Sequence, residues 1–372
     1  MVIFVAKENG DRRVAVTPEA AKKYVDSGGS VVIESGAGEE AGYSDSSYEA
    51  AGAVVSTEKG VAGADIVISI NPLDEKMVKQ LSKGTIVIST QEPHANPNNI
   101  KLFLKHGITT FALEFIPRTT RAQYMDILSS QACLAGYKAV IEAAHYFDRG
   151  LPLLITSAGT IPAAKILVVG AGVAGLQAIA TARRLGAIVS AFDVRADAKE
   201  QVESLGAKFV DVNSSEATNG VYATEMSEVY KRAQEDKLRE VLPGQDIVIT
   251  TAQIPGKKAP IVIKSDMVKL MKHGSIIIDL ASKTGGNCEC TVQGQITDIN
   301  GVKVMAFDNI LNLIAADASR LFSKNVSAFL DLLLQEMKNC NSDIAAISND
   351  IIKETLLTYD GVPVSSRLQM SE

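Results

Sequence analysis

A chain of 372 residues is long for one hydrophobic core and suits two domains. Its composition, 46% apolar and 22% charged, is that of a folded protein and excludes the disordered and fibrous classes. With 37 basic against 43 acidic residues, a net charge of −6 and no basic block, nothing calls for a polyanionic partner, so nucleic acid is excluded as a ligand.

The first residues, MVIFVAKENGDRR, turn charged after a short apolar run and read as a first strand, not as a secretory leader. Helical spacing follows over 19–27 and 45–51, with buried strands over 30–34, 65–70 and 84–90. Residues 122–149 keep helical spacing with few breakers, which predicts one long helix leaving the first domain and entering the second.

The segment Lys165 to Asp193, KILVVGAGVAGLQAIATARRLGAIVSAFD, holds the parts of a dinucleotide-binding turn in order. The β-branched run 166–169 reads as a buried parallel strand opening through Gly170, Gly172 and Gly175 into a helix. Gly170 permits the tight turn, Gly172 removes a side chain that would block the pyrophosphate, and Gly175 lets helix and strand approach. The helix N-terminus, where Val173 offers its backbone N–H, faces the phosphates. A second strand over 187–192 ends at Asp193, whose carboxylate is placed to accept from the adenosine ribose hydroxyls and to repel a 2′-phosphate. The expected ligand is therefore NAD(H), not NADP(H). Val194 and Arg195 flank that acid.

A third strand over 208–212 and a fourth over 246–250 are too far apart for one crossover helix. Residues 213–227 are polar, contain Asn219-Gly220 with Tyr222 and Met226, and read as an exposed loop and candidate lid before a helix at 228–241. Gln253 follows the fourth strand, at the carboxyl edge where open α/β sheets bind ligands. ADIVISI followed by KGTIVIS in the first half resembles QDIVITT followed by HGSIIIDLA in the second, which suggests two related α/β domains. Cys288 and Cys290 form a C-x-C without a second Cys/His pair at ligand spacing, so no metal site is expected and the four cysteines read as reduced thiols. Residues 315–339 carry apolar positions at amphipathic helical spacing and return the chain to the first domain. No uninterrupted stretch is long enough to span a bilayer.

The fold class expected is α/β, with two Rossmann-like domains with parallel sheets. Residues 1–135 plus 320–372 form a discontinuous first domain, and 136–319 form the NAD(H)-binding domain inserted in it, with a cleft between them as the ligand site.

Several long segments carry a family resemblance. RVAVTPEAAKKY from Arg13, ESGAGEEAGYSD from Glu34, PRTTRAQYMDILSSQACLAGYKAV from Pro117, GTIPAAKILVVGAGVAGLQAIATARRLGA from Gly159, KEQVESLGAKFV from Lys199, PGKKAP from Pro255 and DLASKTGGNC from Asp279 make the chain similar to the NAD(H)-binding alpha component of proton-translocating NAD(P) transhydrogenases. Alanine dehydrogenases share that fold and Arg13. They place a lysine in the strand-end motif that here reads ISINPL, and a histidine in the one reading ISTQEPHANP. Here Ile68, Ser69 and Ile70 fill the strand end, and His94 lies in a Pro/Asn-rich turn. Without that lysine, amino-acid oxidation lacks the group that polarises the carbonyl.

The resemblance implies that Arg118, Gln123, Asp126 and Ser129 lie against the nicotinamide and its ribose, with Arg118 and Asp126 as an ion pair that changes partners with redox state. It implies that Val221 and Tyr222 close over the nucleotide. It further implies hydride transfer from bound NADH to NADP+ on a separate beta subunit, a membrane-spanning subunit that passes protons, a homodimer, and a cytoplasmic position on the inner face of the bacterial inner membrane held through those partners. The alternatives are a free-standing NAD-dependent alanine dehydrogenase and a non-catalytic NAD(H)-sensing module.

Overall fold

The short β-branched runs VIFV, IVI, IVIS, KILVV, IVIT and IIID pair side by side, because a strand apolar on both faces is stable only inside a sheet covered on both sides. In the computed structural model, which describes residues 1–57, 61–212, 228–254 and 257–368, they are distributed over two sheets in two units. One unit is Met1–Gln131 with Ile314–Glu372, and the other is Ala132–Leu313, so the second interrupts the first in sequence. The divisions at 131/132 and 313/314 fall a few residues before the expected 135/136 and 319/320. The first lies within the helix Ile127–Tyr146 and the second in the 3-10 turn Ile310–Ile314 that leads into the helix Ala315–Asn339, where helical periodicity has no feature that marks a domain edge.

The first unit has an eight-stranded sheet in the spatial order Val362–Pro363, Leu356–Tyr359, Thr109–Ala112, Ile86–Ser89, Ile66–Ile68, Val2–Val5, Ser30–Glu34, Val54–Ser56. All pairs are parallel except those made by Leu356–Tyr359, whose antiparallel partners are Thr109–Ala112 and Val362–Pro363. One face packs Ile3, Ile33, Ile66, Ile88 and Phe111 against the return helix Ala315–Asn339 through Phe322, Val326 and Phe329, and the other packs Phe4, Val67 and Val87 against the helix Pro97–His106 through Ile100 and Phe103.

The second unit has a seven-stranded sheet in the order Lys208–Phe209, Ile188–Phe192, Lys165–Val169, Ile247–Thr250, Ile276–Asp279, Val302–Met305, Ile296–Ile299, with only the last pair antiparallel. In both sheets the chain runs outward from its first strand to its third and then returns to the other side with its fourth, which makes a topological switch point between first and fourth strands. The internal repeat is visible at the sheet feet. Asp65 accepts the backbone N–H of Val2, and Asp246 accepts that of Lys165, each closing the fourth strand onto the first from the same place in its sheet.

The expected helix over 122–149 is corrected. Thr120–Met125 forms a 3-10 turn, Asp126 is extended at φ −71 and ψ 94, and the α-helix runs only over Ile127–Tyr146. The reason is local chemistry: the Asp126 carboxylate accepts from the Ser129 backbone N–H and hydroxyl, satisfying the first turn of a new helix. The third strand is shorter than expected, Lys208–Phe209. An antiparallel hairpin, Leu154–Thr156 with Gly159–Ile161, stands apart from both sheets with Leu154, Ile155 and Ile161 exposed. Among the described residues no helix is long and apolar enough to cross a membrane.

Candidate functional site

The glycine turn joins strand Lys165–Val169 to helix Val173–Arg184 at the switch point of the second sheet, and its three glycines are required for three different reasons. Gly170 has φ +96, a left-handed conformation, and a Cβ there would sit 2.7 Å from the Thr251 hydroxyl. Gly175 lies against the carbonyl oxygen of Gly170, and a Cβ would drive into that oxygen far inside van der Waals contact. Gly172 differs. Its backbone, φ −74 and ψ −167, suits any residue, and a Cβ would meet no protein atom within 4 Å. That exposed cradle above the helix N-terminus is what a diphosphate needs for close approach. No side chain caps the helix, and its first internal bond runs from the Leu176 N–H to the Gly172 carbonyl. The N–H groups of Val173, Ala174 and Gly175 thus have no intrahelical acceptor and are available for phosphate oxygens.

Asp193 lies where the ribose acid is expected, but its carboxylate is already occupied. One oxygen accepts from the Arg195 backbone N–H at 2.8 Å and its Nε at 3.0 Å; the other accepts from Arg195 Nη2 at 2.9 Å and the Ala171 N–H at 2.7 Å. These four donors take the lone-pair directions of a carboxylate that is 7% exposed, so a ribose diol has to replace Arg195 bonds. The guanidinium also offsets part of the charge that opposes a 2′-phosphate. Gln253 is exposed after the strand Ile247–Thr250 and donates its amide to the Leu280 carbonyl. Val221 and Tyr222 lie outside the described residues.

Three supports of this site were not read from the sequence. Thr251 donates its hydroxyl to the Gly170 carbonyl at 2.9 Å and fixes the turn from the neighbouring strand. Asn287, fully buried, accepts from the Ala252 N–H and donates to the carbonyls of Ala252 and Pro260, while Asp279 gathers the N–H groups of Ala281, Asn287 and Cys288 and the Thr291 hydroxyl. The signal was present in DLASKTGGNC, whose polar residues are satisfied inside the fold. Gly136, on the helix Ile127–Tyr146, abuts the carbonyl of Ala174 in the first turn after the phosphate loop, where a Cβ would clash. The Cys288 thiol is pushed up to about 12 by burial, which keeps it protonated and unreactive at neutral pH. Among the described residues no group of three or more His, Cys, Asp or Glu is arranged to hold a metal.

The four residues expected at the nicotinamide lie together on the first unit, around the break at Asp126. Arg118 and Gln123 are exposed, while Ala122, Met125 and Ile127 point into the core. Asp126 and Ser129 are half-buried and bonded to each other. The same unit holds a second polar cluster, bonded within itself. Arg13 is 6% exposed and directs its guanidinium to Asp11, through Nε and Nη2, and to Gln131, through Nη1. Asn71, at the end of the strand that lacks the lysine, donates to Glu8 and Asp11. Glu8 also accepts from the N–H groups of Ile70 and Asn71. Burial pushes its carboxyl up to about 7 against those hydrogen bonds, with Asp11 adding repulsion.

Comparison with known proteins gives the family of the chain. The chain matches the alanine dehydrogenase/PNT N-terminal domain over residues 4–135 and the C-terminal domain of the same family over 139–365. It is 43% identical over 369 residues to an NAD(P) transhydrogenase subunit alpha chain of Rickettsia prowazekii, covering 97% of this chain and 95% of that one. A crystal structure of transhydrogenase from Sinorhizobium meliloti superposes with a TM-score of 0.86 at 42% identity, covering 99% of this chain and all of the other. Alanine dehydrogenase 1 of Staphylococcus aureus is more distant, 26% identical over 386 residues, spanning all of this chain and 98% of that one. The chain belongs to the alanine dehydrogenase/PNT family, on the side of its NAD(P) transhydrogenase alpha subunits.

Proposed function

We propose that this chain binds NAD(H) as a substrate and passes hydride directly between its nicotinamide and that of NADP(H) on a separate beta subunit, with a membrane-spanning subunit coupling the transfer to proton movement. The observation that carries the reading is the contrast between two polar sites: the glycine turn keeps an open cradle at Gly172, whereas Arg13 and the ISINPL strand end are consumed by internal bonds. The chain has the equipment for a dinucleotide and has closed the place where an amino acid would sit.

The second unit holds the pyrophosphate on the N–H groups at Val173 and its neighbours, and the adenosine ribose on Asp193 once Arg195 yields part of that carboxylate. Bound NADH supplies the hydride. Arg118, Gln123, Asp126 and Ser129 orient the carboxamide and ribose of the nicotinamide, and Gln253, Val194, Val221 and Tyr222 complete the nucleotide contacts. No acid or base for a substrate hydroxyl is required, so placement supplies the rate enhancement. A homodimer fits the hairpin Leu154–Thr156 and Gly159–Ile161, whose exposed Leu154, Ile155 and Ile161 call for an apolar partner. Attachment to the cytoplasmic face of the bacterial inner membrane then comes through the partner subunits.

The test mixes the purified chain with an NADP(H)-binding beta component and follows transfer from NADH to bound nucleotide. Transfer at catalytic rates is expected, with no L-alanine oxidation by the chain alone. Gln123→Asn keeps NADH affinity and slows transfer by up to about a hundredfold, because shortening the side chain displaces the ring by about 1 Å. Robust alanine-dependent NADH production, or no transfer in the mixture, would overturn the reading.

A further inference from the structure

The segment that carries Arg118, Gln123, Asp126 and Ser129 is not regular. It is a 3-10 turn, an extended residue and the start of a helix, with an apolar inner side (Ala122, Met125, Ile127) and an outer side on which Tyr124 is 59% exposed. Backbone hydrogen bonds alone hold such a junction weakly, since 3-10 geometry is poor and the break at Asp126 interrupts the helical ladder. Behind it runs the return helix Ala315–Asn339, and from that helix the Asn325 side chain, 7% exposed, faces the break. Its Nδ2 donates to the Tyr124 carbonyl at 2.7 Å, and its Oδ1 accepts from the Ser130 hydroxyl at 2.7 Å. One amide therefore grips the chain on both sides of Asp126. Beside it, Gln131 donates to the Ala318 carbonyl of the same helix while accepting from Arg13, which extends the grip to the Asp11–Arg13 pair.

We propose that Asn325 is a positioning residue for hydride transfer: from the buried side of the first unit it sets the conformation of the 118–129 segment whose outer side orients the nicotinamide. It touches neither nucleotide nor reacting atoms. A buried amide with both ends engaged in short bonds is costly to leave half-satisfied, so the segment has one low-energy arrangement. Apolar packing of Ala122, Met125 and Ile127 sets the depth of the segment, and the amide sets its register along the return helix. The inference rests on the hydride-transfer reading for its consequence, and on the local geometry alone for its mechanism.

The experiment reads both, in Asn325→Ala and in the milder Ser130→Ala, which removes one of the two bonds. Backbone amide exchange over 120–130 should rise at least tenfold in Asn325→Ala while exchange in the strands of both sheets stays unchanged. NADH affinity should move by less than about threefold, because the groups that hold the pyrophosphate and the adenosine ribose are elsewhere. Transfer to an NADP(H)-binding beta component should fall by about ten- to a hundredfold, the scale expected for a small misplacement of the ring. Ser130→Ala should show the same pattern at smaller size, and it decides the matter if Asn325→Ala does not fold. Unchanged exchange over 120–130, or faster exchange with an undiminished transfer rate, would overturn the proposal. A wild-type mixture that transfers no hydride would instead overturn the functional reading, leaving the exchange result to stand on its own.

Discussion

The two sheets share the order of their first five strands and an aspartate at the foot of the fourth, yet their switch points have opposite chemistry. In the second unit the first strand opens into Gly170, Gly172 and Gly175, backbone donors with an open cradle. In the first unit the equivalent strand, Val2–Val5, opens into a charged loop, and Glu8 reaches across the switch point to the N–H groups of Ile70 and Asn71 at the end of the fourth strand. A carboxylate from the protein itself takes the donors that a ligand would otherwise claim. The doubly wound fold thus supplies a crevice twice, and the residues at its mouth decide whether that crevice binds a nucleotide or is sealed.

Substitutions at the glycine turn break the comparison most severely. Gly175→Ala places a methyl against the Gly170 carbonyl and should cost about 3 kcal/mol or more in stability, with loss of NADH binding, read by thermal melting and nucleotide titration. Gly172→Ala is its control: stability should fall by less than about 1 kcal/mol, while NADH weakens at least tenfold. Unchanged NADH affinity in Gly172→Ala would mean that the cradle has no role in binding.

The sealed switch point is tested by pH. Glu8 has its carboxyl raised from 4.5 to about 7 by burial, so the folded chain holds a proton there that the unfolded chain releases. Stability from this group is full below pH 4.5 and is lost as pH rises toward 7 and above, by up to about 3 kcal/mol. Glu8→Gln should flatten that slope in chemical denaturation from about pH 5 to 8, whatever it does to the absolute stability. A slope unaltered in the variant would assign the pH dependence elsewhere.

The smallest effect concerns the ribose acid. Asp193→Ala should weaken NADH by about 1–3 kcal/mol, the cost of leaving polar partners unpaired. It also releases Arg195 from the carboxylate, so NADPH should gain affinity and the preference for NADH should shrink. Equal binding of both nucleotides by the wild-type chain would show that Arg195 already cancels the selectivity of the acid.

The strands of both sheet centres and the glycine turn were legible because they rest on local, short-range rules: β-branched runs, three glycines at fixed offsets, an acid after the second strand. The strands Thr109–Ala112, Leu356–Tyr359 and Val302–Met305 were not read, since each is short and owes its strand form to partners far away in sequence. The break at Asp126 was hidden because periodicity continues through it; only the carboxylate's choice to cap Ser129 interrupts the helix. Of the candidate site, the residue types were legible, and their engagement was not. That Thr251 and Asn287 buttress the turn and that Gly136 meets Ala174 are facts of packing between separate segments, which spacing along one strand or helix does not encode, and that Arg195 folds back onto Asp193 two residues before it is a side-chain conformation that spacing does not encode either.

The bond from the Lys165 N–H to Asp246 spans 81 residues, and with the hydroxyl of Thr251 on the Gly170 carbonyl it stitches the seam where the first and fourth strands meet. Closing so long a loop carries an entropic cost that contacts between near neighbours in sequence do not. The phosphate turn lies on that seam and is complete only when the seam is shut. A nucleotide bound there would favour the finished sheet over the unfolded chain, and its presence should slow unfolding of the second unit without accelerating the earliest steps of its refolding.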